Sequence, residues 1–252
     1  MVPIVLGRVM QPRLVGDRVV QIGTDLVHWF LVETDERVVV LDGGLPPYRP
    51  QLEAGLAVLG RSTADIEAVV LTHGHGDHIG VVEPLRRELD IPVYIHGGDA
   101  RLAATGGAVA GTESPTWRYL RHPHAWRLLA HFKTSGKPEP VRSLETFHDG
   151  AVLPGGLRAI HTGGHTPGHT VFLLDGRDVV FVGDLLTTRN PLTGGRGPEL
   201  LASALNQSSA AMLESLAKLE SLPAGTVLFA HGEPWTSGIG SAVDRARGIG
   251  PT

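Results

Sequence analysis

The sequence of 252 residues contains no cysteine. This absence excludes disulfides, thiolate nucleophiles, iron–sulfur clusters and every zinc site that uses a cysteine ligand. Aromatic residues are also scarce, at 5% of the chain, whereas the 13 histidines equal the phenylalanines, tryptophans and tyrosines combined. Histidine is the commonest metal ligand, so its excess in a chain without cysteine points towards a metal site built from imidazoles.

The sequence also lacks an excess of basic residues and any long hydrophobic run. Its net charge of −4 argues against nucleic acid or an anionic membrane as the main partner. Prolines and glycines interrupt the apolar stretches of residues 1–21, so we predict neither a signal peptide nor a membrane span. We therefore expect a cytoplasmic protein with a small-molecule substrate, and the sequence leaves its oligomeric state open.

The hydrophobic pattern predicts one α/β domain over residues 1–252, in which short strands alternate with helices. The predicted strands cover residues 27–32, 37–41, 66–71, 92–95, 157–160, 170–174, 179–182 and 226–230. The predicted helices cover residues 52–59, about 79–89 and 212–219. Residues 101–147 have a different composition and are expected to form an insert or lid, whose helical part between 116 and 132 is broken at Pro123.

The most informative segment is His73-Gly74-His75-Gly76-Asp77-His78, which places four potential metal ligands within six residues. Alternate residues of an extended chain point the same way, so His73 and His75 can hold one ion. The intervening glycines allow a tight turn. Asp77 and His78, expected at the start of the next helix, can reach a second position. The spacing therefore suggests two metal ions.

Three later features carry histidine or aspartate where a predicted strand begins or ends. His165 and His169 lie in the segment Gly-His-Thr-Pro-Gly-His, Asp184 follows the strand ending at Val182, and His231 follows the last predicted strand. A rigid sheet that carries ligands on its end loops is a common way to preorganise a catalytic site.

Together these segments resemble the metallo-β-lactamase-fold hydrolase superfamily, from the strand ending at Asp42 to His231. The resemblance implies an αββα sandwich of two mixed β-sheets flanked by helices. It also implies that Asp42 supports the metal ligands without contacting an ion. We expect His169 to support them through a hydrogen bond, and His169 is the alternative to His165 as a ligand. The ligand set that it implies has three parts: His73, His75 and His165 for the first metal, Asp77, His78 and His231 for the second, and Asp184 as a bridge.

The chemistry expected from such a site is hydrolysis by a hydroxide held between two divalent ions. Zinc is the expected metal, and manganese or iron would also accept these ligands. Asp77 is the expected proton shuttle to the leaving group. The expected substrate is a small ester, lactone or thioester. Three alternatives stay open: a mononuclear iron oxygenase resembling persulfide dioxygenases, a β-lactam hydrolase, and a metal-binding protein without activity.

The remaining histidines have no assigned chemistry. We expect the four outside the insert to be structural or surface residues: His28, His96, His148 and His161. We expect the histidines of the insert on a solvated surface. Its large aromatic residues, which are Trp117, Tyr119 and Trp126, are expected to pack against the main body. Lining of a substrate pocket is the alternative for these residues, which include Tyr119, His122, His124 and His131.

Overall fold

Two mixed β-sheets lie face to face in the computed structural model, which describes residues 7–252. The first sheet has seven strands that follow one another in chain order: β1 (Arg13–Gly16), β2 (Val19–Gly23), β3 (His28–Glu33), β4 (Val38–Leu41), β5 (Ile66–Val70), β6 (Val93–His96) and β7 (Glu145–Phe147). The second has five: β8 (Val152–Leu153), β9 (Leu157–His161), β10 (Thr170–Leu174), β11 (Val179–Phe181) and β14 (Thr226–Leu228). A separate ribbon pairs β12 (Leu186–Arg189) with β13 (Arg196–Leu200).

The strands bury both faces, and their side chains alternate between two cores. On β3, Trp29 and Leu31 pack with the helices, whereas Phe30 and Val32 point to the other sheet. The ring of Phe30 meets that of Phe181 edge-on, with centroids 5.2 Å apart. This alternation is the expected period of two residues in a strand, and here it holds the two sheets together.

Helices cover the two outer faces of the sandwich. The α-helices of the described part of the chain are α1 (Arg49–Val58), α2 (Val82–Leu89), α3 (Ala100–Ala104), α4 (Pro123–Ser135), α5 (Ser209–Ser215) and α6 (Ile239–Ile249). Helix α1 buries Leu52 and Leu56 against the first sheet, and α6 buries Val243 and Ala246 against the second. Full burial of a leucine side chain contributes roughly 1.5–3 kcal/mol, so packing stabilises these helices more than their intrinsic propensity does. The prediction of an αββα sandwich is confirmed.

The two sheets meet at the edge where their parallel strands end. Strand β5 runs parallel to β4, and β14 runs parallel to β11, so the loops that follow these strands emerge on the same side within each sheet. The backbone N–H of Thr170 donates to the carbonyl of Thr72 at 2.9 Å, which ties the second sheet to the loop after β5. This edge therefore gathers loops from both halves of the chain.

Helix α2 begins at Val82, so the prediction that it starts near residue 79 was wrong. The N–H groups of Gly80 and Val81 donate to the carbonyls of Gly44 and Gly43, and this pairing holds residues 79–81 out of the helix. A Cβ on Gly80 would lie 2.3 Å from the backbone carbon of Leu45, which explains why only glycine fits there. Asp77 and His78 consequently lie on a turn before the helix and not at its start.

Several elements were not predicted. The pattern did not indicate the β12–β13 ribbon or α6, and residues 145–147 of the expected insert form β7 at the edge of the first sheet. The expected break at Pro123 is confirmed, because a short 3-10 helix at Thr116–Tyr119 precedes α4, which starts with this proline. Within residues 7–252, no helix is long and apolar enough to cross a membrane.

Candidate metal centre

All seven predicted ligand residues converge at the edge where the two sheets meet. Their donor atoms form overlapping groups that could each hold a metal ion. The loop after β5 carries four of these residues, and the other three precede β10 or follow β11 and β14: His73, His75, Asp77, His78, His165, Asp184 and His231. Every one of them is buried, and Asp77 is the most exposed at 9%.

The first group consists of His73, His75 and His165. The Nε2 atom of His165 lies 3.1 Å from Nε2 of His73 and 2.9 Å from Nδ1 of His75. In a tetrahedral site with metal–nitrogen bonds of about 2.0–2.1 Å, ligand nitrogens lie about 3.3 Å apart. Both distances are therefore within a few tenths of an ångström of the spacing that one ion requires, and all three nitrogens lie within 4.8 Å of one another.

The second group consists of Asp77, His78 and His231. The Oδ2 atom of Asp77 lies 3.8 Å from the Nε2 atoms of both histidines. Because the His78 and His231 rings stand nearly perpendicular, with centroids 6.4 Å apart, their Nε2 atoms approach the same carboxylate from different directions. This geometry leaves a space between three donors of the kind that a divalent ion occupies.

Asp184 lies between the two groups. Its Oδ2 atom is 3.4 Å from Nε2 of His165 and 3.4 Å from Nε2 of His231, while its Oδ1 atom is 3.5 Å from Nε2 of His78. The turn that carries it needs Gly183, whose φ is +51° and whose Cβ would lie 2.8 Å from His169. One carboxylate can thus reach donors of both groups.

Two buried atoms of this cluster have no hydrogen-bond partner among residues 7–252: Nε2 of His78 and Oδ1 of Asp184. A buried polar atom without a partner costs free energy, so such atoms are rare unless an ion or a water satisfies them. The donor set of five imidazoles and two carboxylates suits zinc, manganese or iron. By both criteria the residues fit a metal centre.

In three histidines, the ring nitrogen that points away from the cluster makes a hydrogen bond, as is usual for metal-binding imidazoles. Nδ1 of His78 lies 2.9 Å from Oδ2 of Asp42, and Nδ1 of His231 donates to the carbonyl of Leu26 at 2.6 Å. Nδ1 of His165 lies 3.1 Å from Oδ1 of Asn206. These bonds aim the Nε2 atoms into the site, and they place Asp42 in the supporting position that the family resemblance implies.

His169 is committed to the protein through both ring nitrogens. Its Nε2 atom accepts the backbone N–H of Asp184 at 3.1 Å, and its Nδ1 atom lies 2.9 Å from the hydroxyl of Thr162. The ring is fully buried. His169 therefore orients the turn that carries Asp184, and the metal groups include His165 and not His169.

Sequence reasoning missed Asp99, which joins the two loops that carry the first group of histidines. This fully buried carboxylate accepts the N–H groups of Gly74 at 3.0 Å and Gly168 at 2.7 Å, and the hydroxyl of Thr166 at 2.6 Å. It follows β6 by three residues, so a carboxylate shortly after a strand was the available signal. Asn206, the partner of His165, carried no comparable signal.

In the first group, burial is the main cause that lowers the pKa values of the three histidines. Desolvation, followed by repulsion from neighbouring histidines, holds the pKa of His73 and of His75 well below the usual range. Desolvation also lowers the pKa of His165. All three imidazoles are therefore neutral near pH 7, which is the form that binds a metal.

In the second group, neighbouring carboxylates outweigh burial in setting the pKa values of the histidines. Burial would lower the pKa of His78, but the carboxylates of Asp42 and Asp184 raise it well above its usual range. Asp184 likewise raises the pKa of His231 against the effect of burial, and the two histidines hold the pKa of Asp184 well below normal, although desolvation opposes this. These carboxylates favour a positive charge here, which a divalent ion would also supply.

Two neighbouring cavities lie beside the cluster. The inner one is bounded by His75, His165 and His231 together with Leu128 and Phe132. The outer one, a groove of about 510 Å³, runs between the residue 76–77 turn and residues 105–109 and 136–140. Both include Asp77, Val109 and Phe132. Residues of the expected insert thus line the approach to the cluster.

The histidines of the insert do not line these two cavities. His131 is buried, with its Nε2 atom 2.8 Å from the hydroxyl of Tyr48, so its expected solvated position was wrong. His124 packs against Gly194, and the hydroxyl of Tyr119 contacts the Ser203 hydroxyl at 2.8 Å. His122 is partly exposed beside Arg121.

The two tryptophans of the insert also differ from expectation. Packing against the main body was predicted, yet Trp117 is 70% exposed and Trp126 is 59% exposed. The indole N–H of Trp126 donates to the carbonyl of Leu120 at 2.8 Å, which fixes its ring against the preceding turn of its own segment. Local hydrogen bonding, and not core packing, sets the orientation of this ring.

Comparison with known proteins identifies the family. The sequence model of one protein family, the metallo-beta-lactamase superfamily, matches residues 22–231 of this chain. This range includes every residue of the cluster. The chain belongs to the metallo-β-lactamase superfamily. The predicted family membership is thereby confirmed.

Curated relatives of this superfamily member include two Bacillus subtilis proteins, both named as probable metallo-hydrolases. YflN is 30% identical over 195 residues, which is 68% of this chain and 66% of YflN's own length. YqgX is 28% identical over 181 residues, which is 69% of this chain and 74% of YqgX. Both names describe those two proteins as probable metal-dependent hydrolases.

Solved structures with this fold include BJP-1, a subclass B3 metallo-beta-lactamase of Bradyrhizobium japonicum. The TM-score is 0.69 at 18% sequence identity, and the match covers 99% of this chain and 95% of BJP-1. At this identity the likeness shows the metallo-β-lactamase fold alone.

Proposed function

We propose that this protein is a dinuclear metal-dependent hydrolase that cleaves a small ester, lactone or thioester. The observation that carries the proposal is the pair of converging donor groups with Asp184 between them and two unpartnered buried atoms. His73, His75 and His165 would hold one ion. Asp77, His78 and His231 would hold the other, and Asp184 would contact both.

Divalent ions bound in this way, of which zinc is the first choice, lower the pKa of water towards about 7 and polarise a carbonyl. The protein's own contribution is to orient the reacting groups and to handle the proton. Asp77 is the most exposed residue of the cluster and lines both cavities, so its carboxylate can reach a substrate as well as the site. We assign it the transfer of a proton to the leaving group.

The shape of the outer groove supports a substrate with an apolar part. Its side chains include Leu45, Val109, Phe132 and Pro138, and among residues 7–252 the charged ones are Asp77 and Lys137. An apolar groove that ends at Asp77 would position an acyl chain or ring with its carbonyl towards the cluster. Esters, lactones and thioesters carry both features.

The test is metal analysis followed by a hydrolysis panel on zinc-loaded and manganese-loaded protein. The panel compares a lactone, a thioester, a phosphodiester and a β-lactam, and the proposal expects two metal ions per chain and turnover of the first two. A His165→Gln variant should lose one metal and the activity. His161→Gln serves as the matched control, since His161 contacts the carbonyl of Pro167 outside the cluster.

Three results would favour the alternatives. One iron per chain, with oxygen consumption on a persulfide, would identify an oxygenase. Turnover of β-lactams without turnover of esters or lactones would identify a β-lactam hydrolase. If an Asp77→Asn variant bound metal normally and the wild type turned over no member of the panel, the protein would be a metal-binding protein without hydrolase activity.

A further inference from the structure

A separate pocket of about 280 Å³, which several charged residues line, opens beside the turn that follows His231. Its lining includes Asp25, Arg189, Arg196, Glu233 and Trp235. The pocket shares no lining residue with the two cavities next to the metal centre. It is therefore separate from the groove that the proposed hydrolase would use.

Two arginines of this pocket face each other across the β12–β13 ribbon. Arg189 and Arg196 are partners in the register of the two strands, just beyond an irregularity between Thr187 and Arg189, and both line the pocket. Directly opposed residues project to the same face, with Cβ atoms about 4.5–5.5 Å apart, and like charges in this arrangement are destabilising. Within residues 7–252, neither guanidinium has a hydrogen bond or an ion pair with the protein.

The acidic residues of the pocket do not neutralise this pair. The Asp25 carboxylate accepts two hydrogen bonds from Arg127, both at 2.8 Å, and one from the backbone N–H of Arg8. Glu233 is paired with Arg13. Each acid already has a basic partner, so within residues 7–252 the pocket keeps two positive charges without an ion-pair partner.

We propose that this pocket binds a small phosphate monoester, with the phosphate held between Arg189 and Arg196. A phosphate carries about −1.5 to −2 charges near pH 7, which matches two guanidinium groups, whereas one carboxylate would leave a charge uncompensated. The planar guanidinium also presents paired donors that suit phosphate oxygens. The half-buried ring of Trp235 offers a surface for the organic part of the ligand.

The experiment titrates the metal-loaded, full-length protein with phenyl phosphate at constant ionic strength. The readout is the indole N–H resonance of Trp235 in a two-dimensional NMR spectrum. This N–H donates to the Ser241 hydroxyl at 2.8 Å, so its environment is defined, and the chain has only 4 tryptophans to assign. Phenylacetate, which carries one charge on a similar ring, is the comparison probe.

We expect a saturable shift of the Trp235 resonance with phenyl phosphate and binding at least about tenfold weaker for phenylacetate. Arg189→Gln and Arg196→Gln should each weaken phenyl phosphate binding about tenfold or more, as the loss of charged hydrogen bonds predicts. Arg118→Gln is the matched control, because Arg118 is exposed on the insert and the change in charge is the same. This control should bind like the wild type.

Three outcomes would overturn the proposal. The Trp235 resonance could fail to shift in a saturable way, which would mean that the pocket holds no phosphate monoester. Arg118→Gln could weaken binding as much as the pocket variants do, which would indicate attraction to net charge. Equal affinity for phenylacetate would show that the pair of arginines does not select a phosphate.

Discussion

Replacing Asp99 with asparagine should weaken the metal centre, although Asp99 touches no predicted ligand. Its Oδ2 atom accepts the N–H of Gly74 and the hydroxyl of Thr166, and its Oδ1 atom accepts the N–H of Gly168. The side-chain oxygen of an asparagine can still accept the bonds from Gly74 and Thr166. Its NH₂ group then faces the N–H of Gly168, and two donors cannot form a hydrogen bond with each other. The space is tight, since a Cβ on Gly168 would lie 2.8 Å from the Asp99 carboxyl carbon.

The magnitude follows from the bonds that are lost. One buried N–H without a partner costs about 1–3 kcal/mol, and loss of the negative charge weakens the two remaining bonds. We therefore expect Asp99→Asn to lower the free energy of unfolding by about 2–4 kcal/mol, out of the roughly 5–15 kcal/mol typical of a domain. Because Asp99 connects the loops of His73 and His165, we also expect metal affinity to fall about 10–100-fold.

The assay is urea unfolding of metal-free protein, combined with competition for zinc against a chelator. Asp149→Asn is the matched control, because Asp149 is an exposed carboxylate that accepts one backbone N–H, from His161. The control should change the unfolding free energy by no more than about 1 kcal/mol. If Asp99→Asn left stability and zinc affinity as close to wild type as the control does, the reasoning would be refuted.

Three further predictions concern the metal, the proton and pH. Chelation should lower the melting temperature, and zinc should restore it, because the metal would bind only the folded state; an unchanged melting temperature in differential scanning fluorimetry would contradict a metal centre. Asp77→Asn should reduce kcat by about 10²–10⁴-fold with little loss of stability; steady-state kinetics would contradict this if kcat were unchanged. Burial, with a further contribution from His231, lowers the pKa of His28 to about 4. In the unfolded chain the pKa of His28 is about 6.5, so its neutral form contributes its full stability above that pH. The contribution is lost as the pH falls from about 6.5 through the folded value, and at pH 4.5 the free energy of unfolding is lower by roughly 2–3 kcal/mol. Urea unfolding of metal-free protein at pH 4.5 and 7.5 should show this extra loss in the wild type but not in His28→Gln, and equal losses would count against it.

The metal-binding loop could be predicted from the sequence because the spacing of its ligand residues depends on local geometry. Four ligands within six residues and two intervening glycines predict a metal-binding loop, whatever surrounds it. The order of the later motifs added His165, Asp184 and His231, and the fold brings all of these donors together. The strands were also readable, since residues with β-branched and aromatic side chains dominate them.

The supporting residues were less readable. Asn206 and the carbonyl of Leu26 contact ligands from distant parts of the chain, and Asp99 joins two of the ligand-bearing loops. Position after a strand was the available signal for Asp99, but it does not reveal which loops the carboxylate joins. The start of α2 was misplaced for a similar reason, because hydrogen bonds from residues 80 and 81 to Gly44 and Gly43 override the local helical pattern.

By itself, the sequence determined the family, the sandwich fold and the set of potential ligands, because these depend on residue type, order and short-range spacing. Only the tertiary structure decided which donors face each other, which histidines are committed to hydrogen bonds, and which insert residues line the groove. These features depend on contacts between segments far apart in the chain, whose geometry is set when both sheets and their loops pack together.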